Sequence, residues 1–215
     1  MKMSLTPVIE LLHGVNHATL ATHSTQLPGY PHASALPVVP DASHNPLLLI
    51  SRLAEHTRNL QTDPRASLLI CDSNGAGVLS GARLTLLGDF LPITAEPPLI
   101  ERYLRYQPEA ETYLGLGDFA FYRMLPQRAR FIAGFGRMGW LEGENWQQLP
   151  ALNAEQEATL HIRLASLLRA DERLLGIDCF GIDLQQGEHR RRLSFAEPQT
   201  GDHIDAAATR LLQAR

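Results

Sequence analysis

Apolar positions along this chain recur with two periods, one helical and one alternating. Leu5, Val8, Ile9 and Leu12 repeat at helical spacing, which predicts a helix over 5–13 that Gly14 stops. "HATLATHS" (17–24) and "HASALPVV" (32–39) read as strands around the turn-rich "QLPGYP". "PLLLIS" (46–51) and "RASLLIC" (65–71) are two more strands. The "AEHTRNLQ" between them is a helix of one to two turns, ended at Asp63-Pro64 because proline disfavours helix in the residue before it. "ARLTLLGDFLPI" (82–93) is a longer strand with Gly88 as a bulge or bend. "PPLIERYLRYQPEAETYLGL" is helical in two pieces broken at Pro108, with Leu99, Tyr103, Leu104 and Tyr106 on its core side. "DFAFYRML" (118–125) and "ARFIAGFGRMGWL" (129–141) complete the strand series. So many strands with so few helices suggest a small barrel, which closes its own edges.

The pattern changes near 143–152, where "GENWQQLPAL" reads as a linker. A helix follows over 153–170 with Asn153 as its cap. "RLLGIDCFGIDL" and "HRRRLSF" pair as strands across "QQGE", and "DHIDAAATRLLQAR" is a terminal helix capped by Asp202. This tail forms a separate α+β module. No internal repeat or low-complexity stretch interrupts the chain.

Composition narrows the function classes. The 215 residues are 44% apolar and 20% charged, enough for one large domain or a domain with a small companion. A net charge of −4 gives no general attraction to nucleic acid, although a local basic patch remains open. Cys71 and Cys179 stand far apart with no CxxC pair, which fits a reducing cytoplasm; each sits in an apolar run and is expected to be a buried small residue. The N-terminus reads as an amphipathic helix, not a signal peptide, and no window approaches a membrane span.

Candidate chemistry is sparse. "GFGRMG" (134–139) satisfies GxGxxG, but a dinucleotide site needs a helix immediately after it, and Trp140, Leu141 and a Gly-Glu-Asn turn follow instead. Arg137 beside those glycines either holds an anion or is simply exposed. His13 and His17 are four apart, yet Gly14 breaks the helix between them and the zincin Glu is absent, so no metal site is assigned. Histidines 23, 32, 44, 161, 189 and 203 form no ligand pattern. In "EHRRRLSF", Arg190 and Arg192 share one strand face; a solvated face is favoured over an anion-binding edge. The strongest candidate is "SRLAEHTRNL": Ser51, Arg52, His56 and Thr57 lie around a short helix whose first turn can hold a phosphate. Arg83 and Thr85 point to one side of the next strand. A charged but merely solvated helix face is the equal alternative.

Several segments, in order, carry a resemblance: "LPGYPHASALPVVPD", "PLLLISRLAEHTRNLQTDPRASLL", "RLTLLG", "ERYLRYQPEAETY", "DFAFYRM" and "RFIAGFGRMGWL". They resemble the haem-utilisation-type proteins of the pyridoxamine 5′-phosphate oxidase-like superfamily over roughly 10–145. The tail resembles the small α+β domain often appended in that family. The resemblance implies a mainly β N-terminal split β-barrel of the FMN-binding type (1–145) plus a small α+β C-terminal domain (150–215). It also implies a cytoplasmic homodimer with cofactor sites at the subunit interface, and no nucleic-acid or membrane partner.

By that resemblance Ser51, Arg52, His56 and Thr57, with Arg83 and Thr85 opposite and Arg137 nearby, fall where relatives hold the FMN phosphate. His56 falls about where those relatives carry a phosphate-binding lysine, and a neutral imidazole offers less charge. Gln156 stands where relatives commonly have the histidine of an Asn-x-x-His run. No haem ligand and no catalytic residue is carried over. The first expectation is an FMN-binding protein, possibly a flavin-dependent oxidoreductase. The alternatives are a haem-binding or haem-degrading protein and a non-catalytic interaction protein of tetrapyrrole metabolism.

Overall fold

Alternation of inward apolar and outward polar residues builds most of this molecule. A computed structural model describes residues 5–72, 80–133 and 138–215. Helix α1 (Thr6–Gly14) leads into the hairpin of β1 (His17–His23) and β2 (Pro31–Pro37), followed by β3 (Val39–Pro40), β4 (Pro46–Ser51), α2 (Glu55–Thr62), β5 (Arg65–Cys71) and β6 (Ala82–Pro92). Two helices, α3 (Pro97–Tyr106) and α4 (Ala110–Leu114), precede the long β7 (Phe119–Ala133), then β8 (Met138–Glu142) and α5 (Gly143–Gln147). The tail holds α6 (Ala154–Ala165), the meander β9 (Glu172–Asp178), β10 (Gly181–Gln186) and β11 (His189–Ser194), and α7 (His203–Gln213).

The larger sheet runs β2-β1-β5-β6-β7-β4-β3, with β8 added on β7, and its described pairings are antiparallel. It curls into a half-barrel whose free edges are β2 and β3, so the barrel is split there. Ala18 and Leu20, Leu68 and Ile70, and Leu84, Leu86 and Phe90 point inward and are buried. Burying each such large side chain contributes about 1.5–3 kcal/mol. The buried cluster continues from these strands through Trp146, Leu160, Leu164 and Phe180 into Ile204 and Leu212, so apolar contact is unbroken from barrel to tail. Among the described residues no helix is long and apolar enough to cross a membrane.

The structure alters several sequence expectations. Residues 118–133 are not split at Pro126: β7 passes through it as one strand. The register explains how. Leu87 pairs with Arg128 and Gly88 with Pro126, leaving Gln127 as an extra residue where the ladder is already broken. Gly88 is required there, because a Cβ would lie 2.2 Å from the Leu125 carbonyl oxygen. The expected linker contains α5, whose Trp146 is buried. Helix α6 ends at Ala165, well before 170. "RLLGIDCFGIDL" is two strands, turned at Cys179 and Phe180, where Asp178 Oδ1 accepts the Phe180 N–H at 2.6 Å. Asp202 makes no side-chain cap bond. Cys71, expected inside, is exposed because β5 turns that side outward, while Cys179 is buried.

Candidate functional site

The gap between β2 and β4 is bridged by α2. Its residues Thr57, Asn59 and Leu60 are buried against the seam. Asn59 ties it to β1: its Nδ2 donates to Thr22 Oγ1 at 3.0 Å, and its Oδ1 accepts from the N–H and the hydroxyl of Thr25, both at 2.9 Å. Thr57 Oγ1 donates to the Ser51 carbonyl at 2.6 Å and so fixes α2 to the end of β4. Ser51 Oγ donates to Asp118 Oδ2 at 2.7 Å and accepts from the Leu53 N–H at 3.1 Å. Both hydroxyl protons are therefore committed to internal acceptors.

Across the seam, His56 on α2 meets β2. Its Nδ1 lies 3.3 Å from Ser34 Oγ, and Ser34 Oγ lies 3.3 Å from His32 Nε2. His32 Nδ1 is in turn 3.3 Å from Glu55 Oε1. Burial, with His32 beside it, lowers the pKa of His56, so its neutral form is favoured. Arg52, Leu53 and Arg58 flank the helix and are exposed.

The structure thus brings Ser51, Arg52, His56 and Thr57 together at one end of the seam. Arg83 and Thr85 share the outward side of β6, opposite Cys71 and Leu69 of β5 and Ile132 and Arg130 of β7. Arg137, with Gly134, Phe135 and Gly136, lies outside the described residues. Met138 and Gly139 open the strand β8, not a helix, as the GxGxxG argument required.

A second polar centre lies between barrel and tail, and sequence reasoning missed it. His13 Nδ1 is 2.8 Å from Asp183 Oδ2 and 3.3 Å from Asp178 Oδ2, and its Nε2 is 3.1 Å from His44 Nδ1. His44 Nε2 donates to the Pro150 carbonyl at 3.2 Å, so its Nδ1 can only accept. By that accounting His13 carries protons on both nitrogens. Arg192 spans the two carboxylates, with Nη1 2.7 Å from Asp183 and Nη2 2.8 Å from Asp178. Tyr106 donates to Asp183 Oδ2 at 2.5 Å. Arg102, 2% exposed, bonds Glu157 and the Pro40 carbonyl, and Arg105 reaches the same Glu157 at 2.7 Å.

Burial pushes the Asp178 and Asp183 carboxyls up, but Arg192 and His13 outweigh it and hold both well below the usual carboxylate range. Burial pushes His44 down to about 4 despite Asp178. His44 also has φ of 64°, a left-handed conformation costing of the order of 1 kcal/mol. Asp41 holds that turn by accepting the N–H groups of Ser43 and Asn45.

This centre corrects two expectations. Arg190 and Arg192 do share a face, but not a solvated one: Arg192 clamps the aspartates, and Arg190 donates to the Tyr106 carbonyl at 3.0 Å. His13 partners His44, not His17, which is exposed and bonded to Asn16. His13, His44 and Asp178 each offer one ligand atom, within 4.8 Å of one another, as a cation site would need. Their hydrogen bonds already account for those atoms, and the Arg192 cation sits on the same carboxylates. The missed signal was Asp178 and Asp183 inside an otherwise apolar strand run, since a buried charge demands a partner.

In the tail, Asn153 caps α6 as expected, and Gln156 closes the capping box on the Asn153 N–H at 3.0 Å. The residue that departs from the relatives' histidine thus has a structural task here.

Comparison with known proteins adds to this geometry. The chain is 35% identical over 135 residues to "Non-canonical heme oxygenase HOZ, chloroplastic" of Arabidopsis thaliana, covering 60% of this chain and 41% of that one. It therefore spans about two-fifths of the length of that relative. A solved "heme binding protein from Mycobacterium smegmatis" is 28% identical with a TM-score of 0.62, covering 100% of this chain and 98% of that one. The Agrobacterium tumefaciens protein Atu2129, of unknown function, shares the fold with a TM-score of 0.76 at 24% identity, covering 98% and 94%. The family profile described as Pyridoxamine 5′-phosphate oxidase matches residues 8–133, more than half of the chain.

Proposed function

This chain belongs to the pyridoxamine 5′-phosphate oxidase family, and from that premise we propose that it is a haem-binding protein of the haem-utilisation type. The observation that carries this reading is at Ser51. A phosphate dianion needs free donors, yet the Ser51 and Thr57 protons are committed within the chain. The Asp118 carboxylate beside Ser51 adds like charge, which disfavours an anion at that spot. A neutral imidazole at position 56 supplies no compensating cation. The full-length likeness to a heme binding protein supports the same conclusion.

Bound haem would supply a redox-active iron. The chain's own part is to hold the macrocycle, to meet its propionates with exposed cations such as Arg52 and Arg58, and to limit water. Degradation of the haem, the activity named for the Arabidopsis relative, is the further step this reading allows.

One observation favours FMN as a second reading. Arg83 and Thr85 lie two residues apart on one side of β6, within the segment that matches the oxidase family. Parallel titrations of the purified protein with hemin and FMN separate the two. A Soret band saturating at micromolar hemin, with no flavin released on heating, is the expected result. A yellow protein that releases FMN and ignores hemin overturns the haem reading. Two flat titrations leave a non-catalytic role in tetrapyrrole metabolism.

The same reading includes a cytoplasmic homodimer. The outward faces of adjacent strands align Leu69, Thr85, Arg130 and Trp140 in one row and Ser67, Leu87 and Arg128 in the next. Leu69, Leu87, Met138 and Trp140 are exposed there, a patch suited to a second copy. Two unpaired cysteines accord with a reducing compartment.

A further inference from the structure

The polar chain across the seam has a direction, and the direction assigns a free lone pair. Glu55 has no proton to give as a carboxylate, so it accepts from His32 Nδ1–H, 3.3 Å away. His32 Nε2 is then an acceptor in the neutral ring and takes the Ser34 hydroxyl proton at 3.3 Å. With its proton spent, Ser34 Oγ can only accept from His56, so His56 Nδ1 carries the hydrogen. His56 Nε2 is therefore unprotonated, and among the described residues it has no partner. His32 has both nitrogens engaged; His56 has one left.

We infer that His56 Nε2 is the axial nitrogen donor to the iron of a bound tetrapyrrole, its ring oriented by Ser34 and, through Ser34, by His32 and Glu55. The inference rests on the haem reading and deepens it. A metal-binding histidine usually donates its other ring N–H to an outer partner, which fixes the tautomer and the orientation. Here that partner is Ser34, and the relay ends on a carboxylate, which makes the imidazole a better donor. Burial favours the neutral ring that coordination requires. The ring is half-buried at the seam, beside the exposed Arg52, Leu53 and Arg58 and on the far side of α2 from buried Thr57. His56 thus replaces a phosphate-binding cation with an iron-binding base, consistent with the committed Ser51 and Thr57 hydroxyls.

The test is hemin titration followed by absorption and electron paramagnetic resonance of the ferric complex. In His56→Ala, hemin affinity falls by at least tenfold and the ferric spectrum changes, and added imidazole restores the wild-type spectrum. His56→Gln behaves likewise with the side-chain volume retained, and far-UV circular dichroism verifies that both variants fold. Ser34→Ala keeps the donor atom and the type of spectrum but loses about 10–100-fold in affinity, as lost outer partners do. If wild type binds hemin and both His56 variants bind it with unchanged spectrum and affinity, the assignment of His56 is overturned and the haem reading stands. The same holds if only another substitution, such as His189→Ala, removes the wild-type spectrum. If wild type binds no hemin, the haem reading falls and this inference with it.

Discussion

His13 Nδ1 lies 2.8 Å from Asp183 Oδ2, although 170 residues separate the two in the chain. The first helix and the last sheet are thus joined by a fully buried, hydrogen-bonded ion pair. Removing one partner of such a pair costs more than the pair contributes, because the survivor is left charged in a dry interior. His13→Leu should therefore destabilise the protein by about 3–5 kcal/mol, measured by urea unfolding. Asp183→Asn in the His13→Leu background should cost less than the two single changes added together. Strict additivity in this cycle would show that the two residues do not interact.

His44 sets an acid limit on stability. Its folded pKa is about 4, against 6.5 for the free side chain. Between those values the unfolded chain binds a proton at His44 that the folded chain does not, so stability falls as pH is lowered through this window. Asp178 and Asp183 act in the same direction at still lower pH, since their folded pKa values lie below the unfolded ones. His44→Gln should reduce the slope of unfolding free energy between pH 6.5 and 4 without abolishing it. His56 and His161, also lowered, keep part of that slope. An unchanged slope in His44→Gln would exclude this origin.

Gly176 allows the tail to approach α3. A Cβ at that position would lie 2.2 Å from the Tyr106 hydroxyl and 2.7 Å from Arg102 Nη1. Both side chains are fixed by buried bonds and cannot yield cheaply. Gly176→Ala should cost about 1–3 kcal/mol, seen as a lower urea midpoint with an unchanged slope.

The exposed patch on β5 to β8 predicts assembly. Leu87→Glu and Trp140→Glu place charge on it while leaving the inward face of the sheet untouched. Each should yield a monomer by sedimentation velocity with an unchanged circular dichroism spectrum. Retention of the wild-type mass in both would mean that copies meet elsewhere.

The barrel was legible because period-two patterning is a local signal: Leu84, Leu86 and Phe90 announce an inward face within a few residues. The run through Pro126 was not, since what tolerates the proline is the absent side chain of Gly88 on a neighbouring strand. The seam was half legible. Ser51, Arg52, His56 and Thr57 were named together, but the commitment of two hydroxyls depends on Asp118, 67 residues beyond Ser51. His32 and Ser34 were passed over because their partners lie on α2, not within their own strand. The buried centre was least legible of all. Arg192 looks like any arginine of a basic run until Asp178 and Asp183 fold beneath it, and only their place in an apolar strand hinted at a hidden counter-charge.

Arg102 gives the division of the chain a practical edge. A fragment ending near residue 150 would keep the strands of the half-barrel yet lose Glu157, Asp178 and Asp183. Arg102 and His13 would then face the interior as unmatched cations. The tail is the barrel's counter-ion, and cutting at the apparent boundary between them removes charge neutrality along with surface cover.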